Sequence, residues 1–206
     1  MRSSEERDQA ARALLAHLLE CIQKGLPEAV RLCLKQGADA NWKTPEGKTP
    51  LSLATSRLKY KVDPHIQAEI CEILLRNGAD PNETVGGISL LHGCASGRQP
   101  LLCKALLNHG ASHTQDPAGN TPLHLAAKTI TSGNGLPFLT IKMLLENGAD
   151  LHAKNTGGYT PLHNLTKLSK VKIPILMKDE ITAQKYLQNR IWKITMAHTK
   201  GKPLEI

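Results

Sequence analysis

Apolar residues recur at spacings of three and four in Ile70-Cys-Glu-Ile-Leu-Leu75, Leu101-Leu-Cys-Lys-Ala-Leu-Leu107 and Ile141-Lys-Met-Leu-Leu145. Each run ends soon afterwards in Asn-Gly or His-Gly. That spacing is one face of a helix, and glycine is the residue that stops it. A second signal opens shorter apolar runs. Thr49-Pro50, Thr121-Pro122 and Thr160-Pro161 place a capping hydroxyl before a proline at the first helical position, where no N–H is missed. The two kinds of run alternate, so the pattern predicts a short inner helix, a turn, an outer helix and then a connection.

The unit repeats. Gly-Ala-Asp or Gly-Ala-Ser closes a run at Gly37, Gly78, Gly110 and Gly148. Nine or ten residues later come Gly47-Lys-Thr-Pro-Leu-Ser-Leu-Ala54, Gly87-Ile-Ser-Leu-Leu-His-Gly-Cys94, Gly119-Asn-Thr-Pro-Leu-His-Leu-Ala126 and Gly158-Tyr-Thr-Pro-Leu-His-Asn-Leu165. No single copy can bury its apolar faces alone, so the copies must stack. The recurrent Thr-Pro-Leu-His and Leu-Leu-x-x-Gly-Ala-Asp, together with the period, resemble ankyrin repeats over roughly residues 17–165. The expected fold is all-α: an ankyrin-repeat solenoid of about five helix-turn-helix units with a divergent C-terminal helical cap, in a single domain over 1–206. A first, capping unit spans about 9–38, followed by repeats over about 45–78, 86–110 and 118–148. A fifth repeat and a basic cap take about 157–198.

Departures from the period locate insertions. From Pro50 to Gly78 is 28 residues and from Pro122 to Gly148 is 26, against 20 from Leu90 to Gly110. The extra residues fall at 57–65 and 129–137 and are expected on one side of the stack. The first can lengthen the inner helix until Asp63-Pro64 breaks it; the second is loop-like. Gly93 inside the third inner helix costs about 1 kcal/mol relative to alanine, which makes that repeat the softest. Beyond Pro174 the pattern dissolves into one expected helix over about 179–197. There Ala183, Leu187, Ile191 and Ile194 share a capping face. Lys185, Trp192 and Met196 fall away from it, either as an interaction patch or against a second buried surface.

Composition narrows the chemistry. One Phe, two Trp and three Tyr in 206 residues exclude a sheet core built on aromatic packing. No stretch is apolar enough for a membrane span, and Glu5, Glu6 and Asp8 sit where a secretion signal would be basic. Five cysteines (Cys21, Cys33, Cys71, Cys94, Cys103) in helical patterns, without a C-x-x-C pair, suit buried thiols in a reducing compartment. The expected location is therefore intracellular, in the cytoplasm with the nucleus as second compartment. The net charge of +8 is concentrated at one end, since residues 151–206 carry 10 Lys/Arg against 3 Asp/Glu.

No phosphate-binding loop, nucleophile elbow, metalloprotease or paired-carboxylate motif is present, so the chain is read as non-catalytic, without cofactor, metal or small-molecule substrate. The resemblance implies that His92, His124 and His163 hydrogen-bond within and between repeats. Cys94, Cys103, His92 and His109 are the conceivable zinc set, but they lack ligand-pair spacing. Asn41 and Asn82 hold the position that asparaginyl hydroxylases modify in some members of the family; a turn asparagine that steadies the connection is the plainer reading.

Ankyrin repeats bind partner proteins along a concave face of connection tips and inner helices, which makes the expected function that of an adaptor, scaffold or inhibitor. The implied partner-binding residues are Trp42, Lys43, Glu46, Lys48, Glu83, Val85, Ile88, Gln115, Asn120, Lys154 and Tyr159, with Thr55, Ser56 and Lys128 on the inner helices. Trp42 is either a hot spot or a residue packed on the next connection. The alternative is a polyanion, nucleic acid or anionic membrane, held by the basic segment 151–206. The family also occurs in proteins that intracellular bacteria and poxviruses place inside host cells, so a host-cytosol effector is a further context. The protein is expected to be monomeric.

Overall fold

The computed structural model describes residues 4–56, 58, 60–129, 136–161 and 163–164. The helices come in pairs. The first pair is α1 (Ser4–Lys24) and α2 (Pro27–Lys35), and the second is α3 (Pro50–Thr55) and α4 (Pro64–Arg76). A two-stranded antiparallel ribbon, β1 (Thr84–Val85) and β2 (Ile88–Ser89), precedes α5 (Leu90–Ser96) and α6 (Pro100–Asn108). The last described pair is α7 (Pro122–Lys128) and α8 (Leu136–Glu146). The segment expected to be helical over 179–197, with Lys185, Trp192 and Met196, lies outside the described residues.

Two layers result, because α1, α3, α5 and α7 pack side by side in an inner row and α2, α4, α6 and α8 in an outer one. The fold is an all-α solenoid. Leu51, Leu91 and Leu123 fill the same place in successive inner helices, and Leu74, Leu106 and Leu144 the same place in outer helices, all buried. Each such leucine contributes about 1.5–3 kcal/mol by leaving water. The first repeat has Cys33 where the other outer helices have leucine.

The ends of the helices are set locally. The outer helices terminate alike: the N–H groups of Ala38, Ala79, Ala111 and Ala149 donate to the carbonyls of Cys33, Leu74, Leu106 and Leu144, five residues back. This bond closes a left-handed glycine turn and satisfies a carbonyl the helix would leave orphaned. At the inner starts the Thr49 hydroxyl accepts from Ser52 N–H, and the Ser52 hydroxyl accepts from Thr49 N–H. Thr121 and His124 form the corresponding box on α7.

One expectation is corrected. The insertion at 57–65 does not lengthen α3, which stops at Thr55. Asp63 instead opens α4, its carboxylate accepting from His65 N–H at 2.8 Å, with Pro64 at the first helical position. The same dipeptide that ends one helix is a good start for the next, and here the second role wins.

Successive connections touch through backbone. Gly119 has φ +73°, and a Cβ built on it would lie 2.7 Å from Thr156 N; Gly47, at the same repeat position with φ +75°, has open space around it. Gly47→Ala is expected to cost about 1–2 kcal/mol from φ alone. Gly119→Ala should cost about 1–3 kcal/mol more, because the next connection must move. Urea unfolding of the two variants measures the difference; equal losses would mean that the connections do not press on one another.

Candidate functional site

The connections between repeats turn at equivalent points. Thr44 N–H donates to Lys48 O at 2.8 Å, Asp116 N–H to Asn120 O at 2.8 Å, and Asn155 N–H to Tyr159 O at 3.0 Å. Gly47, Gly119 and Gly158 each donate back to the first residue of the turn. At the second connection the ribbon takes this place, with Val85 paired to Ile88 across Gly86-Gly87 at φ +61° and +78°. Both central residues of such a tight two-residue turn need positive φ, which a Gly-Gly pair supplies without strain. The ribbon was not foreseen, although Val-Gly-Gly-Ile is the signal for it.

These turns align the candidate residues into two rows. Lys48, Ile88, Asn120 and Tyr159 each follow the turn glycine by one residue, and Lys43, Glu83, Gln115 and Lys154 precede it by four. In the first row Ile88 is 44% exposed and Tyr159 49%, and Val85 beside Ile88 is 51% exposed. Lys43, Glu46, Lys48 and Lys154 are exposed as well, whereas Trp42 is half-buried and packs against the core. The Tyr159 ring meets His163 edge-on, with centroids 6.1 Å apart. Of the inner-helix residues, Ser56 and Lys128 are exposed, while Thr55 is buried with its hydroxyl on Leu51 O and Ser52 O.

Three candidates are engaged within the stack. Asn120 accepts from Asn155 Nδ2 at 2.9 Å, and its carbonyl lies 2.9 Å from His92 Nε2. Gln115 Nε2 donates to Lys154 O at 3.2 Å. Glu83 accepts from the Thr49 hydroxyl at 2.6 Å. That contact answers a local deficit. His124 accepts Thr121 N–H on Nδ1, so its proton sits on Nε2 and is donated to Tyr159 O of the next repeat at 2.9 Å. His92 reaches forward in the same way, but the second repeat has Ser52 at this position, too short to cross. Glu83 bridges the gap from the other side.

Asn41 and Asn82 lace the outer ends of the connections. Asn41 donates to Gly78 O at 2.7 Å and accepts from Asp80 N–H, and Asn82 does the same with Gly110 O and Ser112 N–H. Among the described residues, Cys94, Cys103, His92 and His109 are not brought together as a group with donor atoms within ligand reach of one another. Both ring nitrogens of His92 are engaged, and burial pushes the Cys103 thiol up to about 12 and Cys94 well above its ordinary value.

Sequence reasoning did not anticipate a cleft of about 780 Å³ at the opposite ends of the inner helices. Leu58, Tyr60 and Val62 of the insertion line it together with Gly93 and Gly97, and Gln67 ties the insertion down by donating to Ala54 O and Ser56 O. The insertion was legible; its direction was not.

Forward-reaching imidazoles and carboxamides on stacked helix pairs agree with the comparison to known proteins, in which residues 64–155 match the family model for ankyrin repeats in three copies. The chain is an ankyrin-repeat protein. It is 30% identical over 176 residues to human SH3 and multiple ankyrin repeat domains protein 2, covering 82% of this chain and 9% of that protein. A putative ankyrin repeat protein of Rickettsia felis is 34% identical over 110 residues, 52% of this chain and 45% of the relative. One from fowlpox virus is 28% identical over 148 residues, 71% of this chain and 30% of the relative. The chain thus spans less than half the length of these relatives. As a class, ankyrin repeats mediate protein–protein contacts rather than catalysis. Among the described residues no helix is long and apolar enough to cross a membrane.

Burial raises the Glu83 carboxyl above its ordinary 4.5 against the opposing hydrogen bond from Thr49, with Asp80 adding repulsion. A carboxyl raised in the folded state contributes stability that is complete below 4.5 and is lost as pH rises through the folded value. Unfolding midpoints from about pH 4 to 7 should therefore fall for the parent relative to Glu83→Gln, by less than about 1 kcal/mol because the group is half-exposed. A parallel pair of pH profiles would contradict the assignment.

Proposed function

We propose that this chain is a non-catalytic module that holds a partner protein along the face formed by its connection tips and inner helices, as an adaptor, scaffold or inhibitor. The observation that carries the reading is the row of exposed apolar side chains, Val85, Ile88 and Tyr159, held on turns that are braced by backbone hydrogen bonds. Such a row is ordered before binding, so a partner meets it without the entropy cost of fixing a loop. Lys43, Lys48 and Lys154 flank it and favour a partner with acidic groups around an apolar centre. Trp42, partly seated in the core, steadies the first tip and leaves part of its ring for contact.

Two further readings rest on separate observations. The similarity to Rickettsia and fowlpox virus proteins supports a host-directed effector, working in the host cytosol on the same face. The excess of 10 Lys/Arg over 3 Asp/Glu in residues 151–206 supports polyanion binding there instead. Salt separates this last reading from the first, since retention on DNA or anionic vesicles falls steeply with ionic strength while an apolar contact does not.

The test is affinity capture from eukaryotic lysate with the intact chain, identification of the retained protein, and titration of that protein against variants. Val85→Asp with Ile88→Asp, and separately Trp42→Ala with Tyr159→Ala, should each weaken binding about tenfold or more. Lys43→Glu with Lys48→Glu should mainly slow association. Melting temperatures should stay at the parent value for the tip pair Val85/Ile88. Undiminished binding by all three variants would remove the tip face as the site.

A further inference from the structure

The thiols and imidazoles of the described residues come together in one place outside the tip face. His17 and Cys21 are four residues apart on α1, so they share one face of the helix, and Cys33 on α2 packs opposite them. His17 Nε2 lies 3.7 Å from Cys21 Sγ, and the donor atoms of all three residues lie within 4.8 Å of one another. A nitrogen about 2.0–2.1 Å and a thiolate about 2.3 Å from the same tetrahedral Zn²⁺ are separated by about 3.5–3.6 Å. The observed separation is close to that of two ligands of one ion, as it is to a nitrogen–sulfur hydrogen bond, and the Cys33 sulfur lies within reach of a common ion.

The surroundings favour this use over simple packing. Cys33 occupies the place that leucine fills in α4, α6 and α8, so a smaller, metal-ligating side chain stands here opposite the other two donors. Both sulfurs are buried while His17 is exposed, which leaves one coordination position on the solvent side for water. All five cysteines are free thiols, yet only this group among the described residues joins two of them to a histidine. Burial and the nearby Cys33 raise the Cys21 thiol; a bound cation offsets both effects, because it favours two thiolates side by side.

We propose that His17, Cys21 and Cys33 form a Zn²⁺ site with water as the fourth ligand, which ties α1 to α2 in the first repeat, where no segment resembling Thr-Pro-Leu-His opens the inner helix. Two sulfurs and one nitrogen make a soft donor set that discriminates against Mg²⁺ and Ca²⁺. The ion is held by both helices of the folded repeat, so it adds to the stability of that repeat.

The experiment is a titration of the full chain, kept reduced with a phosphine, first with Co²⁺ as the coloured probe and then with Zn²⁺ as the competitor. The expected result is one ion per chain by native mass spectrometry, a thiolate-to-cobalt charge-transfer band that Zn²⁺ abolishes, and a melting temperature that rises with Zn²⁺ but not with Mg²⁺. His17→Ala and Cys33→Ser should each weaken binding about tenfold or more, and Cys94→Ser should leave it unchanged. The exposed position of His17 keeps its variant folded and the test decisive even if Cys33→Ser is unstable. Absence of the thiolate band overturns the proposal. So does a band that survives His17→Ala and Cys33→Ser, or one lost in Cys94→Ser.

Discussion

Each of the described inner helices is left incomplete by its own unit, and a neighbouring repeat completes it. An inner helix of six or seven residues is too short to be stable alone, and its apolar side has no cover within its own unit. The covering leucines come from neighbours, and so do the acceptors for the buried imidazoles of His92 and His124. A buried imidazole without a partner costs about 1–3 kcal/mol, so these bonds do less to add stability than to forbid any arrangement that breaks them. The tip geometry follows from this requirement. The residues that receive the bonds, Asn120 and Tyr159, are the ones next to the turn glycines, and fixing their carbonyls fixes where the neighbouring side chains point.

The helix starts and stops were legible in the sequence because each is encoded within a few residues. Thr-Pro and Gly-Ala act through hydrogen bonds to backbone no more than five positions away, and the apolar spacing needs only the helix period. Asp63-Pro64 shows where local encoding becomes ambiguous. Proline disfavours helix for the residue before it and suits the first turn of the helix after it, and nothing nearby says which effect governs. In the folded chain Gln67, in the first turn of α4, bonds back to the end of α3, a contact that is compatible with a start at Pro64.

The candidate surface was legible as a set of positions and illegible as a division of labour. Lys43 and Glu83 occupy the same repeat position, yet one is exposed and the other is drawn down to the Thr49 hydroxyl, because the repeat between them carries Ser52 in place of histidine. That relation joins residues 34 positions apart and has no local trace. His17 and Cys21 are four residues apart on one helix, a spacing the cysteine pattern did not bring forward, and Cys33 joins them only once α2 has folded back on α1. The C-terminal candidates Lys185, Trp192 and Met196 fall outside the described residues and stand as the sequence left them.

These bonds run between units, each across about one repeat: His92 to residue 120 crosses 28 positions, Asn41 to residue 78 crosses 37, and Asn155 to residue 120 crosses 35. A substitution in this chain therefore does its harm at a different address from the one it is written at. A change at position 92 loosens the turn that carries Asn120, and a change at position 41 frays the end of α4. Maps of tolerated and damaging variants along the sequence should be read with that offset of one repeat, since a silent-looking tip and its damaged neighbour are two ends of the same bond.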